Sequence, residues 1–306
     1  MKIDLHIHSR EGSDGRWNLE DIFAEAARRG IDVISITDHD SIDAQISAAG
    51  LAEQYGMRYI YGVELNVTMS PPRYKEGKAV SLDFLGYGFD VKDEALVDKL
   101  RELRQFRQVR AGRILSNINA ELKKEEFPEF SQADLEAIEA TVDGVFGRPH
   151  IADYMVTRGL VRNRQGAFDK YLVKCDVPKM PLSLEEASGL VRGAGGKLVL
   201  AHPSDPNGTS LVALSSDLNE QQRIVVDLML GDIDGIECWH TRHTPEVTEA
   251  YARFAKDHGL MVTGGSDCHQ QPLLMGEVEV PGCVAEQFLE QPFLQCDDIS
   301  RNGSSR

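Results

Sequence analysis

No apolar run in the 306 residues approaches the roughly 18 needed to cross a bilayer. The first residues enter an alternating apolar stretch directly, without the basic segment and apolar core of a secretory leader. The expectation is a cytoplasmic protein, neither secreted nor membrane-spanning. Cysteine is scarce. Cys175, Cys238, Cys268, Cys283 and Cys296 are odd in number and form no C-x-x-C pair, which gives a zinc knuckle no support and predicts reduced thiols. Positive charge is also short, with 33 Lys and Arg against 49 Asp and Glu, a formal net charge of −16. Such a chain has no global field to gather nucleic acid, and an anionic substrate must be met by local cations or metal ions. Internal repeats and low-complexity segments are absent as well.

What is present is an ordinary enzyme composition, 42% hydrophobic and 27% charged, in a chain long enough for one barrel-sized domain with a smaller insert. Residues 1–7 read as a buried strand and 18–29 as an amphipathic helix capped by Asn18 and stopped by Gly30. Residues 32–37 follow as a strand, 42–55 as a helix and 58–67 as a third strand. Strand–helix–strand alternation with short links predicts a parallel α/β arrangement. After a further strand at 79–89 the pattern turns helical, and alternation resumes at Ser183. The expected division is a barrel from residues 1–90 and 176–290, a helical insert at 91–175 covering the active site, and a flexible tail at 297–306. Within the insert Arg101, Arg104, Arg107, Arg110 and Arg113 recur every third position, a basic stripe on one helix face.

The polar residues that interrupt this pattern fall late in strands or just after them. His6 and His8 are one strand repeat apart, with Cα atoms about 6.5–7 Å apart on the same face, so two imidazoles can reach one ion. Asp14, His39, Glu64, Asp83, His202, Asp267 and His269 take comparable places further along. A parallel barrel converges such positions on one rim. Burying that many carboxylates and imidazoles without cations costs several kcal/mol per unpaired group, so they are expected to hold metal. His240 reads as a surface residue.

The stretches DLHIHS (residues 4–9), ITDHD (36–40), GVE (62–64), AHP (201–203) and GSDCH (265–269) resemble the PHP (polymerase and histidinol phosphatase) superfamily. GRPH (147–150) followed by AFDKYL (167–172) resembles its stand-alone metal-dependent phosphoesterase branch. The resemblance implies a distorted TIM-like (β/α)7 barrel with two or three divalent ions. One would take His6, His8, Glu64 and Asp267, a second Glu64, His202 and position 83, and a third Asp14, His39 and His269. At position 83 the family usually has histidine where this chain has Asp83. Imidazole and carboxylate without thiolate suit Mn²⁺, Fe²⁺ or Zn²⁺ over a pure Mg²⁺ site.

The implied activity is that of a metal-dependent phosphoric ester hydrolase, in which a metal-bound hydroxide attacks phosphorus. The leading expectation is removal of the 3′-phosphate from nucleoside 3′,5′-bisphosphates. The rivals are 5′→3′ trimming of short RNA, a cyclic-nucleotide or cyclic-phosphate diesterase, a histidinol-phosphate phosphatase, an amidohydrolase acting on C–N bonds, and a non-catalytic accessory module. Arg148 is expected to hold phosphate through its guanidinium fork, and His243 to protonate the leaving oxygen. Arg16, His150 and Lys179 are further substrate-binding candidates, with Trp17, Phe146 and Trp239 as stacking surfaces. The expected partner is a small phosphorylated nucleotide or a short single-stranded RNA end, not duplex DNA or membrane, met by a monomer or weak homo-oligomer.

Overall fold

Every position of the first strand, β1 (Ile3–Ile7), is buried, because its apolar face meets the core and its polar face meets other polar groups. In the computed structural model, which describes residues 1–139, 141, 147–178, 180–207 and 209–289, α1 (Leu19–Arg28) follows, its first turn closed by Asn18 Oδ1 accepting from Asp21 N at 2.8 Å. The β-branched β2 (Val33–Ile36), α2 (Gln45–Gln54) and the short β3 (Arg58–Tyr59) complete a parallel three-stranded sheet in the order β1-β2-β3. Phe146, Lys179 and the expected tail at 297–306 lie outside the described residues.

The second sheet departs from the expected parallel alternation. β4 (Gly62–Met69) and β5 (Val80–Tyr87) pair antiparallel, with Glu64 opposite Leu85 and Asn66 opposite Asp83. Residues 70–79 between them carry only a 3-10 turn at Lys75–Gly77. Such a link can reverse the chain, but it falls short of the dozen or more residues that a parallel crossover requires.

The helical stretch opens with α3 (Glu94–Lys124), about 46 Å long at 1.5 Å per residue. Its first half packs Leu96, Leu100 and Leu103 on the sheet core, and its second half packs Ala111, Ile114 and Ile118 in a separate core. That second core also takes residues from α4 (Gln132–Glu139), α5 (Arg148–Thr157), α6 (Arg164–Ala167) and the π turn Phe168–Leu172.

Alternation returns with α7 (Leu184–Gly193), β6 (Lys197–Leu200), α8 (Leu218–Leu228), β7 (Gly235–His240), α9 (Pro245–His258), β8 (Met261–Gly265) and α10 (Cys283–Glu286). The sheet order is β4-β5-β6-β7-β8, with β5 and β6 antiparallel and β6, β7 and β8 parallel. The two sheets touch at two isolated bridges, Ile7 with Cys268 and His39 with Glu64. These bring the ends of β1, β2, β4 and β8 together. Cys175, Cys238 and Cys268 are free and buried, whereas Cys283 is disulfide-bonded, against the expectation of thiols throughout. Among the described residues no helix is long and apolar enough to cross a membrane.

Candidate metal centre

Glu64, in β4, reaches four imidazoles. Its Oε2 lies 3.5 Å from His6 Nε2, 3.3 Å from His8 Nε2 and 2.9 Å from His39 Nδ1, and its Oε1 lies 3.1 Å from His202 Nε2. Asp267, just beyond β8, places Oδ1 3.5 Å from His6 Nε2 and 3.2 Å from His8 Nε2. On the far side Asp14 Oδ1 lies 3.1 Å from His269 Nε2 and 3.8 Å from His39 Nε2. The donor atoms fall into sets, each within 4.8 Å: His8, Asp14, His39 and His269; His6, His8 and Asp267; His6, Glu64 and His202. Eight of the nine expected ligands therefore come together.

The ninth does not. Asp83 lines the adjoining cavity and accepts a hydrogen bond from Asn66 Nδ2, outside every such set among the described residues. Its side chain is shorter than histidine's, and the β4–β5 register puts Asn66 opposite it.

His6 Nε2, His8 Nε2, Asp14 Oδ1, Glu64 Oε2 and His202 Nδ1 are buried without a hydrogen-bond partner. Leaving a buried polar group unsatisfied costs about 1–3 kcal/mol. Nitrogen and oxygen atoms that approach one another at 3.2–3.5 Å without hydrogen-bond geometry behave as donors around cations do. The residues present thus fit divalent ions.

A second layer fixes these donors. His6 Nδ1 meets Glu237 Oε1 at 3.0 Å, and Glu237 Oε2 accepts from His202 N at 2.7 Å. Asp38 accepts from Ser9 N, Ser9 Oγ and Ser13 Oγ at 2.7, 2.7 and 2.8 Å, tying the loop that carries Asp14 to the end of β2. A Cβ at Gly12 would lie 1.8 Å from Asp38 Oδ2, so that loop closes only on glycine. Asp4 accepts from Ser266 N, Ser266 Oγ and Gly276 N and holds the segment bearing Asp267 and His269 against β1.

Burial opposes charge on His39 and His202, but Glu64 and Asp14 lift His39 to about 9, and Glu64 lifts His202 to about 9. Burial, with His269 and His39 nearby, takes His8 down to about 4. A raised imidazole pKa stabilises the folded state in full below the unfolded value near 6.5, and that contribution disappears as pH climbs through about 9. Metal-free protein is therefore expected to melt at lower temperature at pH 8.5 than at pH 6.5. Added Mn²⁺, which takes over from the protons, should raise the melting temperature more at pH 8.5. Differential scanning calorimetry at the two pH values checks this, and a larger metal shift at pH 6.5 would contradict it.

The other candidates divide. Arg148 lines a cavity of about 360 Å³ together with Asp14, His39, Arg107 and Arg110. Arg16 and His150 line a second cavity of about 450 Å³ that shares Ser13 and Asp14 with the first. Trp17 and Trp239 pack against the cores and line neither.

His243 does not suit the role of proton donor. Its Nδ1 meets the Cys238 carbonyl at 2.9 Å, its Nε2 accepts from Ser204 N at 3.4 Å, and burial takes its pKa down to about 4. His240, expected at the surface, is 3% exposed and groups with Asp205 and Asp267, where Arg242 already pairs with Asp205. The arginine stripe is largely paired, Arg101 with Asp98, Arg104 with Asp43, Arg107 with Asp40 and Arg110 with Asp176. Glu237 escaped the sequence reading. The signal for Glu237 was a carboxylate within an otherwise apolar strand, GIECWH.

Imidazoles and carboxylates gathered beside an arginine-lined cavity define an α/β protein with a candidate metal centre. The PHP domain profile matches residues 4–172, and the chain belongs to the PHP family. It is 29% identical over 280 residues to the 3′,5′-nucleoside bisphosphate phosphatase of Chromobacterium violaceum, covering 87% of each chain. It is also 29% identical over 278 residues to a 5′-3′ exoribonuclease of Haemophilus influenzae, covering 88% of this chain and 90% of that one. Among solved structures, a metal-dependent phosphoesterase from Bifidobacterium adolescentis superimposes with a TM-score of 0.76 at 30% identity, over 94% of this chain and 95% of that one.

Proposed function

We propose that this protein is a metal-dependent phosphoesterase that removes the 3′-phosphate from nucleoside 3′,5′-bisphosphates. The observation that carries the reading is the set of unsatisfied buried His, Asp and Glu atoms beside a cavity walled by Arg107, Arg110 and Arg148. His6, His8, Glu64 and Asp267 would hold one ion, Glu64 and His202 a second, and Asp14, His39 and His269 a third. Mn²⁺, Fe²⁺ and Zn²⁺ match that donor set. Ions bound there supply the charge that acidifies water and neutralises phosphoryl oxygens.

The chain's own residues do the rest. Glu237 fixes the orientation of His6, Asp38 and Asp4 hold the two ligand loops, and the arginines offset the negative charge of the nucleotide. The two sheets, bridged by Ile7 with Cys268 and by His39 with Glu64, are read as one distorted barrel. The helical segment from 91 to 175, with its own core, is read as an insert covering the site. Coverage by an insert favours a small or single-stranded ligand over a duplex. Trimming of short RNA from its 5′ end is the second reading, supported by the exoribonuclease relative at the same identity.

The test follows phosphate release by Mn²⁺-loaded protein from adenosine 3′,5′-bisphosphate and histidinol phosphate, and mononucleotide release from a 5′-phosphorylated dinucleotide and a cyclic nucleotide. Highest kcat/KM is expected on the bisphosphate. No release from any nucleotide would refute the reading.

A further inference from the structure

Two arginines reach one carboxylate from different helices. Arg110, midway along α3, is 7% exposed. Its Nη2 donates to Asp176 Oδ1 and its Nε to the Val177 carbonyl. Arg148, at the start of α5, donates from Nη1 to Asp176 Oδ2 at 2.8 Å, and its guanidinium lies 5.5 Å from the centre of the Phe168 ring. Val177 N closes the arrangement on Asp176 Oδ1 at 2.8 Å. A carboxylate gripped at both oxygens fixes both guanidiniums, each of which has five N–H donors. These contacts use two donors of Arg110 and one of Arg148.

The triad carries one net positive charge, because Asp176 offsets only one of the two arginines. Arg110 and Arg148 form part of the wall of the 360 Å³ cavity that Asp14 and His39 also line. Neither arginine is ion-paired to Asp14; both are paired to Asp176. The two arginines thus share one cavity with the expected ligands Asp14 and His39, held by a carboxylate outside every candidate ligand set among the described residues.

We infer that Asp176 assembles Arg110 and Arg148 into a subsite for a second, non-reacting phosphate of the substrate. This rests on the phosphoesterase reading above and deepens it. With one phosphate at the metal ligands and another at the arginine pair, the two sides of the cavity grip a nucleotide that is anionic at both ends. Asp176 is then a positioning residue that sets specificity. An arginine fork grips phosphate through paired N–H donors, and that geometry survives only while the carboxylate offsets the repulsion between the two guanidiniums.

The test compares wild type, D176N and R148K as full-length Mn²⁺-loaded proteins. In steady-state assays, the ratio of kcat/KM on adenosine 3′,5′-bisphosphate to that on adenosine 3′-monophosphate should fall about tenfold in each variant. That is the size of one charge-assisted hydrogen bond. In calorimetric titrations, binding of adenosine 5′-monophosphate, which carries only the second phosphate, should weaken about tenfold. Equal loss on both substrates would overturn the inference, since the arginines would then serve the reacting phosphate or the fold. Tighter binding of adenosine 5′-monophosphate to D176N would also overturn it, because Asp176 would then be competing with phosphate. If wild type hydrolyses neither substrate, the phosphoesterase reading fails while the titration still decides the subsite. Weaker binding in D176N supports it, and no binding to wild type refutes it.

Discussion

Glu64→Gln is expected to lower phosphate release by about 10³-fold and to strip metal from the protein. Residues that merely support metal ligands cost about 10–100-fold when replaced, and Glu64 lies inside the set it would bind. Its two oxygens stand 2.9–3.5 Å from His6, His8, His39 and His202. Glutamine has nearly the same shape, so packing survives, but one anionic oxygen becomes an NH₂ group whose hydrogens point at imidazole nitrogens needed as lone-pair donors. Burial works against the Glu64 carboxylate, yet His39 and His6 hold its pKa well below the usual range, so it is the charged form that is lost. Elemental analysis together with a phosphate-release assay checks this. A variant with full metal content and more than a tenth of wild-type activity would remove Glu64 from the centre.

Glu237→Gln should cost about 10–100-fold in metal affinity or activity, although Glu237 is not among the expected ligands. The carboxylate is fully buried and accepts twice, from His6 Nδ1 at 3.0 Å and from His202 N at 2.7 Å. Glutamine offers one acceptor oxygen and one donor nitrogen, so one of those two hydrogens must face an NH₂ group. If His6 loses its partner, its ring is free to turn and Nε2 no longer has a fixed direction. Metal titration of the variant reads the effect directly. An unchanged dissociation constant would show that His6 is held by packing alone.

The strand-end ligands were legible because their spacing is local. His6 and His8 share a face by the two-residue strand repeat, His39, His202, Asp267 and His269 each follow a β-rich run, and Glu64 lies within one. The helix start at Asn18 was legible for the same reason, since a cap acts within one turn. Position 83 was visible as a departure from the family pattern, but its outcome was not. Whether Asp83 ligates or bonds Asn66 depends on a cross-strand register that residues 70–79 set by reversing the chain.

By itself the sequence determined the α/β class, nine ligand candidates of which eight come together, and the acidic background against which local arginines matter. Only the tertiary structure decided that Glu237 backs His6, that His243 has both nitrogens committed, and that Arg110 and Arg148 share Asp176. The physical reason is distance along the chain. Asp176 is 66 residues from Arg110, and Glu237 is 231 from His6. Such pairs are set by how helices and strands pack, and no repeat of two or 3.6 residues reports them.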